Sequence, residues 1–502
     1  MLLGGAASGA APKMEQFRMV HTGSDGMSAE PGYRYQDVAH FITTLVDNGT
    51  LPLGSRAPSL RQICRQHRIS LSTALQAYRL LEDHGVLQAR PQSGYYVARD
   101  RTSSLKTPAI SRPSAKPIAV SVSGLRLELL EHARDPTLVP LGSAIPSADL
   151  LAAGRLDRFL ARAARVRGRE SNTYTEPKGD PQLRQEIARR AVRLGQALAP
   201  EDIVITCGCT EALTLALTAV ATPGDTIAIE SPTYFGFLRA IEALNLRALE
   251  LPTDAATGID IAALAQALKS RRIAACLFSS SFNNPLGCTM PDEKKRAVLD
   301  LLARCRVPLI EDDIYGDIYF GKERPRPFIA LDRRGDAIYC SSFSKTVAPG
   351  YRIGWIAPAG RMQKVLERKA ALTLSSPALT QVALADFLSS GGYDGHLRRI
   401  RRVFQHNITQ MTRAIEKTFP EGTKITRPAG GFVLWLELPR PLKSRELFRL
   451  ALEKGICFAP GDVFSPGGRY GNCLRLSCGH PWSARIERGI AMLGALASSS
   501  LR

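Results

Sequence analysis

The sequence lacks the features that define several common protein classes. It has no run of about 18 apolar residues, the length that a membrane-spanning helix requires. Its ten cysteines form no C-x-x-C pair and are scattered over 502 residues, which argues against a paired-cysteine zinc site and a disulfide scaffold. No G-x-G-x-x-G segment is present, so the dinucleotide fingerprint is absent. We therefore expect a globular cytoplasmic protein with reduced thiols and without a metal.

Acidic residues are scarce relative to basic ones. The chain has 46 Asp and Glu against 66 Lys and Arg, a formal net charge of +20. This balance favours a polyanionic partner such as nucleic acid, with an acidic membrane surface as the competing partner. The length predicts two or three domains.

The first 30 residues carry no folding pattern. They are rich in Gly, Ala and Ser, so we expect them to be disordered. They lack the basic start and apolar centre of a signal peptide, and Met14, Met19 or Met27 would each serve as a later start.

Residues 31–99 predict a small winged helix-turn-helix domain. Apolar spacing indicates a first helix over residues 35–48, which Gly49 ends. Ser59 opens a second helix, and Ser70 caps a third. The positions of the third helix that are spaced for burial are Leu71, Leu75, Tyr78 and Leu81. Two short strands follow, joined around residues 90–93, and this order is typical of a winged helix-turn-helix.

Residues 100–140 form a basic, proline-containing linker in this interpretation. No acidic residue occurs between Arg101 and Lys116, and prolines are interspersed with the basic residues. We expect a stiffened, mobile tether with a short helix over residues 125–133 at its end.

From residue 141 to 500 strand and helix patterns alternate, which predicts an α/β domain with a mostly parallel sheet. Its predicted strands are 202–206, 226–230, 274–278, 307–311, 337–340 and 353–357. We expect a large subdomain over about 175–375 and a small C-terminal subdomain over about 376–500, with long helices and an α+β end.

Unusual residues follow the predicted strands, at the edge where an open parallel sheet binds ligands. After the first strand, Gly208 precedes a helix start whose free amides at Cys209 and Thr210 suit a phosphate. After the second comes Tyr234, which is suited equally to stacking on a flat heterocycle and to core packing. The third and fourth strands are followed by Asn284, Asp312 and Tyr315.

A lone lysine stands between hydroxyls and an arginine after the fifth strand. Ser342 and Ser344 precede Lys345, and Arg352 follows it. An arginine fork and a serine hydroxyl bind phosphate, and a lysine held beside a carbonyl forms a Schiff base. The stretch therefore predicts a phosphate monoester beside a reactive amine, and the competing interpretation is a surface strand pair with a solvated lysine.

Six motifs in order resemble the fold-type I aminotransferases that depend on pyridoxal 5'-phosphate (PLP). The resemblance covers roughly residues 140–500. Its motifs are G-C-T-E-A-L at 208–213, S-P-T-Y at 231–234, N-N-P-L-G at 283–287, D-D-I-Y at 312–315, S-F-S-K at 342–345 and P-G-Y-R-I-G-W at 349–355.

The resemblance implies roles for these residues. Asp312, with Asp313 as the alternative, would keep the pyridine nitrogen protonated so that the ring withdraws electrons. Tyr315 and Asn284 would bind the ring oxygen. Lys345 would form the Schiff base and move a proton, for which its solution pKa of about 10.4 must fall.

Two further motifs extend the resemblance to a substrate and to a second subunit. Tyr174 begins Y-T-E-P-K-G, a loop that reaches the neighbouring subunit's site in this family. Arg475, in N-C-L-R-L-S, matches the arginine that binds the substrate α-carboxylate. The sequence departs from the family at residues 150–153, which leaves the substrate pocket on that side undefined.

The N-terminal domain resembles the GntR family of DNA-binding proteins. The matching segments are residues 49–61, S-L-S-T at 70–73, L-E-D-H-G at 81–85 and G-Y-Y-V at 94–97. By resemblance the residues that contact DNA are Arg56, Ser59, Arg61, Ser70, Ser72, Thr73 and Gly94. The family often has arginine where this chain has Leu71, so the bases that are contacted stay open.

Together the two halves resemble the MocR-type regulators, most closely their YdcR-like branch. The resemblance implies a head-to-tail homodimer that binds double-stranded DNA and responds to PLP or to an amino-acid or amine effector. The alternative is a catalytically active aminotransferase with a DNA-binding head. A third possibility, a body that only dimerises, would predict a damaged site, whereas these motifs are intact.

Overall fold

The computed structural model describes residues 34–47, 50–52, 54–83, 86–90, 93–97, 105–121, 125–132, 135–193, 195 and 198–501. The chain divides into two compact units, Met1–Arg101 and Thr102–Arg502, here called the head and the body. The expectations for residues 1–30 and for Gly49 lie outside the described residues.

Three helices and a two-stranded ribbon build the head, as predicted. They are α1 (Arg34–Asp47), α2 (Leu60–His67), α3 (Leu71–Asp83), β1 (Leu87–Arg90) and β2 (Gly94–Val97). The two strands pair antiparallel. Val38, Ile42 and Val46 lie one turn apart on α1 and are buried in one core with Tyr78 and Leu81 of α3.

Leu71 is 59% exposed, so its predicted burial is wrong. The buried face of α3 runs through Ala74, Ala77, Tyr78 and Leu81. Leu71 is the first residue of the helix and lies one turn before this face begins.

Among the described residues of the body, the strands fall into three sheets. Through the first part they are β3 (Ile118–Ala119), β4 (Val139–Pro140), β5 (Val204–Thr206), β6 (Thr226–Ser231), β7 (Arg247–Asp254), β8 (Gly258–Ile259), β9 (Ala275–Phe278), β10 (Leu309–Asp312), β11 (Ile338–Ser342) and β12 (Gly354–Ala357). The later strands are β13 (Lys424–Ile425), β14 (Val433–Glu437), β15 (Ile456–Cys457), β16 (Ala459–Pro460) and β17 (Cys473–Ser477).

The main sheet has the order β3-β7-β6-β9-β10-β11-β12-β5, with β8 beside β7. The pairs from β7 through β11 are parallel, and β12 is antiparallel to both of its neighbours. The six predicted strands are all present, and the prediction of a mostly parallel sheet is confirmed. A four-stranded sheet, β13-β14-β17-β16, forms the C-terminal part, and β4 pairs with β15.

The strand β7 was not predicted from the sequence. This strand contains Glu250 and Pro252, residues that are uncommon inside a strand. Glu250 is nevertheless buried, because its carboxylate accepts a hydrogen bond from the Ser231 hydroxyl at 2.7 Å. A tertiary hydrogen bond thus stabilises a strand that local propensity disfavours.

Helices cover the sheets. They are α4 (Leu125–His132), α5 (Ala153–Arg167), α6 (Pro181–Val192), α7 (Cys209–Val220), α8 (Phe235–Ala243), α9 (Ile261–Ser270), α10 (Asp292–Cys305), α11 (Met362–Leu372), α12 (Ala378–Ser389), α13 (Gly392–Thr418), α14 (Ser444–Glu453) and α15 (Ala484–Ser499). Of the helices with described residues, none is both long and apolar enough to cross a membrane.

Residues 105–121 pack on the body, so the expectation of a mobile tether is wrong for this segment. β3 adds to the edge of the main sheet beside β7. The Ser111 amide donates to the Thr253 carbonyl at 3.2 Å, and Arg469 donates to the Arg112 carbonyl at 2.7 Å. The prolines favour an extended backbone in this segment, so its carbonyl groups are not used by a helix. Hydrogen-bond donors of the body bind several of these carbonyl groups instead.

Candidate functional site

A cavity of about 190 Å³ opens where β5, β6, β9, β10 and β11 end. Ten of the residues predicted for a ligand site line it. They are Cys209, Thr210, Tyr234, Asn284, Asp312, Tyr315, Ser344, Lys345, Arg352 and Arg475. Residues far apart in sequence therefore meet at one edge of the sheet, as the strand-end argument predicts.

Lys345 is held in this cavity by the turn that follows β11. The Ser344 amide donates to the Ser342 hydroxyl oxygen at 3.0 Å, and the Lys345 Nζ donates to the Ala144 carbonyl at 2.8 Å. Burial lowers the pKa of Lys345 to about 8, and the positive charges of Arg475 and Arg352 act in the same direction. A substantial fraction of this amine is therefore neutral near pH 8, as a nucleophile requires.

The structure distinguishes Asp312 from Asp313. Asp312 ends β10 and lines the cavity, where its carboxylate accepts a hydrogen bond from the Ile314 amide at 3.2 Å. Asp313 instead pairs with Arg324 at 2.5 Å and accepts from the Tyr339 hydroxyl at 2.8 Å. Burial raises the pKa of Asp312 to about 7. Only Asp312 is thus available to a cationic group of a ligand.

Two tyrosines and an asparagine surround the same space. The ring of Tyr315 packs edge-on against Phe432, with centroids 5.5 Å apart, and burial raises its pKa. Tyr234 packs edge-on against Phe237 with centroids 5.7 Å apart. The Asn284 side-chain oxygen accepts from Arg475 at 3.4 Å. These residues supply flat apolar surface and polar groups for a planar ligand.

The start of α7 and Arg352 lie side by side. Gly208 has φ +81°, and a Cβ there would lie 2.5 Å from an Arg352 guanidinium nitrogen. The positive φ favours glycine here, because other residues are strained in this conformation. The guanidinium donates to the Cys207 carbonyl at 2.9 Å, beside the unpaired amides of the helix start. The positive helix end and the arginine together suit a phosphate.

Ser342 does not line the cavity, and the role of its hydroxyl as a phosphate donor stays a prediction. It is buried, and its Oγ accepts the Ser344 amide, so it shapes the turn that carries Lys345. Gly208 also lies outside the lining, where it makes room for Arg352.

Arg475 on β17 is 1% exposed and points into the cavity. One of its terminal nitrogens donates to the Gly142 carbonyl, and its Nε has no hydrogen-bond partner among the described residues. Burial lowers the pKa of this guanidinium. A buried guanidinium with a free donor is costly without an anion, and a carboxylate fits it as a bidentate partner.

Several lining residues were missed by the sequence analysis. They are Leu129, Gly142, Ser143, Ala144, Ile145, Leu213, Phe235, Phe237, Ser279 and Ile314. Ala144 acts through its backbone carbonyl, for which no residue type gives a signal. Leu129 lies on α4, inside the segment that the sequence analysis assigned to the linker.

Tyr174 lies outside this cavity and is 82% exposed. It lines a separate cleft that also contains Cys207 and Thr373. Leu372 and Leu374, which flank Thr373 in the sequence, are also large apolar residues with high exposure.

The DNA-contact residues predicted for the head lie on its surface. Arg56, Ser59, Arg61, Ser70, Ser72 and Gly94 are exposed, and Thr73 is half-buried. The Ser70 hydroxyl lies 2.8 Å from those of Ser72 and Thr73 at the start of α3. Ser59 caps α2 by accepting the Gln62 amide at 3.2 Å. Arg56 forms an isolated antiparallel β-bridge with Tyr96 of β2, and its side chain lies close to Gly94 of the same strand.

Comparisons with known proteins agree with the division of the chain into a head and a body. Residues 139–492 match the family of class I and II aminotransferases, and residues 34–97 match the bacterial regulatory proteins of the gntR family. The HTH-type transcriptional regulator YdcR of Escherichia coli K12 is 39% identical over 93% of this chain and all of its own length. YjiR of the same organism, also an HTH-type transcriptional regulator, is 36% identical over 92% of this chain and 98% of its own length.

Solved structures resemble the body. LysN, the alpha-aminoadipate aminotransferase of Thermus thermophilus, complexed with N-(5'-phosphopyridoxyl)-L-leucine, has a TM-score of 0.71 at 30% identity. The match covers 76% of this chain and 96% of LysN. These comparisons define a class of protein in which a GntR-type domain precedes an aminotransferase-like domain. The chain belongs to this class, the MocR-type regulators of the GntR family.

Proposed function

We propose that the protein is a PLP-binding transcriptional regulator whose body senses PLP or an amino-acid-like effector and whose head binds double-stranded DNA. The observation that carries this proposal is the environment of Lys345. Its half-buried side chain lines a cavity with Asp312, Arg352 and Arg475, in a chain that also has a winged helix-turn-helix head.

The residues of the cavity fit PLP group by group. Arg352, Ser344 and the amides of Cys209 and Thr210 take the phosphate, since the positive helix end and the arginine suit an anion. Tyr234 supports the ring face. When bound, PLP supplies a carbonyl that reacts with primary amines and a ring that withdraws electrons from them.

The remaining polar groups orient the ring. Asp312 would hold a proton on the ring nitrogen, since its carboxylate lacks an arginine partner. Tyr315 and Asn284 would bind the ring oxygen. Lys345 provides the covalent attachment point, and as a partly neutral amine it accepts and returns a proton.

Arg475 selects the effector in this proposal. Its unpaired Nε and its burial favour a carboxylate, so amino acids bind better than simple amines. An effector changes DNA binding only if it binds two arrangements of the protein with different affinity. The free energy available for regulation is therefore the difference between those two affinities.

The protein acts in the cytoplasm as a head-to-tail homodimer in this proposal. The exposure of Tyr174, together with that of Leu372 and Leu374, supports a second subunit at this surface. Tyr174 would then reach the partner's cavity, as the family resemblance implies.

An active aminotransferase is the second candidate function. Lys345, Asp312, Tyr315 and Arg475 all line the cavity, so the groups that amino transfer needs are present. The regulator is favoured because the head keeps its helix caps and an exposed DNA-contact surface.

Adding candidate amino acids to the purified protein separates the two functions. The experiment follows cofactor absorption, keto-acid formation and DNA binding in the same samples, with Lys345→Ala as the control. A regulator shows altered cofactor absorption and altered DNA binding without sustained keto-acid production. Sustained production with no effect on DNA binding would contradict the proposal and support the aminotransferase.

A further inference from the structure

Four arginines line the outer face of α5 in the body. Arg155, Arg158, Arg162 and Arg165 follow the spacing i, i+3, i+7 and i+10, which places them on one side of the helix. All four are exposed, while Leu156 lies buried on another side of the helix. We call these four residues the α5 arginine stripe.

The stripe is largely free of partners within the part of the chain that the structure describes. Arg155 donates to the Gly392 carbonyl at 3.4 Å. The guanidinium groups of Arg158, Arg162 and Arg165 make no ion pair with any described carboxylate. Glu170, the acid that follows the helix, pairs with Arg167 instead.

Helix stability does not account for this arrangement. Like charges three or four residues apart destabilise a helix by about 0.2–0.5 kcal/mol for each pair, and the stripe contains three such pairs in succession. The charges face solvent. An anionic partner would attract each guanidinium and so offset the repulsion among them.

We propose that the α5 arginine stripe binds the sugar-phosphate backbone of double-stranded DNA as a second contact of the protein with its target. Ten residues of helix extend about 15 Å, and one DNA strand presents about four phosphates over that length. Arginine is well suited to phosphate because its planar fork bonds two oxygens. The inference rests on the proposed function, which brings DNA to the protein.

Such a contact has a defined signature. Phosphate contacts carry no base preference, and each one increases the dependence of affinity on salt. The stripe therefore strengthens binding to any duplex, while the head supplies sequence preference.

The test compares two triple variants of the full chain. In the first, Arg158, Arg162 and Arg165 are changed to Gln. In the matched control, the exposed Arg271, Arg272 and Arg296 are changed to Gln, which removes the same net charge from other parts of the body. Affinity for a random-sequence DNA duplex is measured between about 50 and 200 mM salt.

We expect the stripe variant to have a salt slope shallower than wild type by about 2–3 and the control variant to keep the wild-type slope. Equal slopes for both variants would overturn the inference while leaving the proposed function intact. If wild type binds no duplex, the proposed function fails instead.

Two other outcomes would also overturn the inference. A change in oligomeric mass with an unchanged slope would assign the stripe to a contact between copies of the chain. Lost binding to anionic phospholipid vesicles with an unchanged DNA slope would assign it to a membrane surface.

Discussion

The cavity of the body and the contact surface of the head hold their residues in opposite ways. In the cavity, Lys345, Asp312 and Arg475 are enclosed, and burial shifts the pKa of each. In the head, Arg56, Arg61 and Ser70 are exposed to solvent. An enclosed site is already arranged for one ligand, whereas an exposed surface acquires its partners on binding. Single changes should therefore have larger effects in the cavity.

The largest effect is expected from Lys345→Ala. This change removes the amine that attaches the cofactor, so covalent attachment should be lost completely. Borohydride reduction followed by peptide mass spectrometry measures it, with the exposed Lys364→Ala as control. Label retained at the wild-type level in Lys345→Ala would remove this lysine from the site.

Arg475→Gln should weaken amino-acid binding by about 100-fold, because losing one partner of a buried charged pair costs about 2–5 kcal/mol. Amines without a carboxylate should bind about as they do to wild type. Titrating an amino acid and its decarboxylated amine against both proteins measures the difference. An equal loss for both ligands would contradict the assigned role of Arg475.

The pH dependence of cofactor capture should report on the burial of Lys345. Only the neutral amine attacks a carbonyl, so the rate for cofactor-free protein should fall about tenfold for each pH unit below about 8. Above that pH the rate should level off. Stopped-flow absorption measures the rate, and one that still rises toward pH 10 would indicate an ordinary solvated lysine.

The smallest effect is expected in the head. Arg61→Gln should weaken DNA binding several-fold and reduce the salt slope by about 1, because it removes one phosphate contact from an exposed surface. Arg79→Gln, an exposed change beyond the first turn of α3, serves as the comparison. A complete loss of DNA binding with Arg61→Gln would contradict the expectation that single changes have smaller effects in the head than in the cavity.

The same contrast explains what could be predicted from the sequence. Strands that end in polar residues led to Asp312, Tyr234 and Lys345, because the topology of a parallel sheet brings its strand ends together. The carbonyl of Ala144, which binds Lys345, was missed since a backbone group has no residue-specific pattern.

Other errors came from tertiary interactions. The β7 strand depends on a buried hydrogen bond between Glu250 and Ser231. Residues 105–121 pack on the body because hydrogen-bond donors of the body bind carbonyl groups of this segment. Leu71 matched the spacing of a core residue, yet it precedes the point where α3 meets the core.

DNA binding by the full-length protein, measured with and without PLP and an amino acid, shows whether the body regulates the head. Lys345→Ala is measured alongside under the same conditions. We expect PLP and the amino acid to change the DNA affinity of wild type and to leave that of Lys345→Ala unchanged. The same DNA affinity for both proteins in every ligand state would contradict a regulator that senses through Lys345.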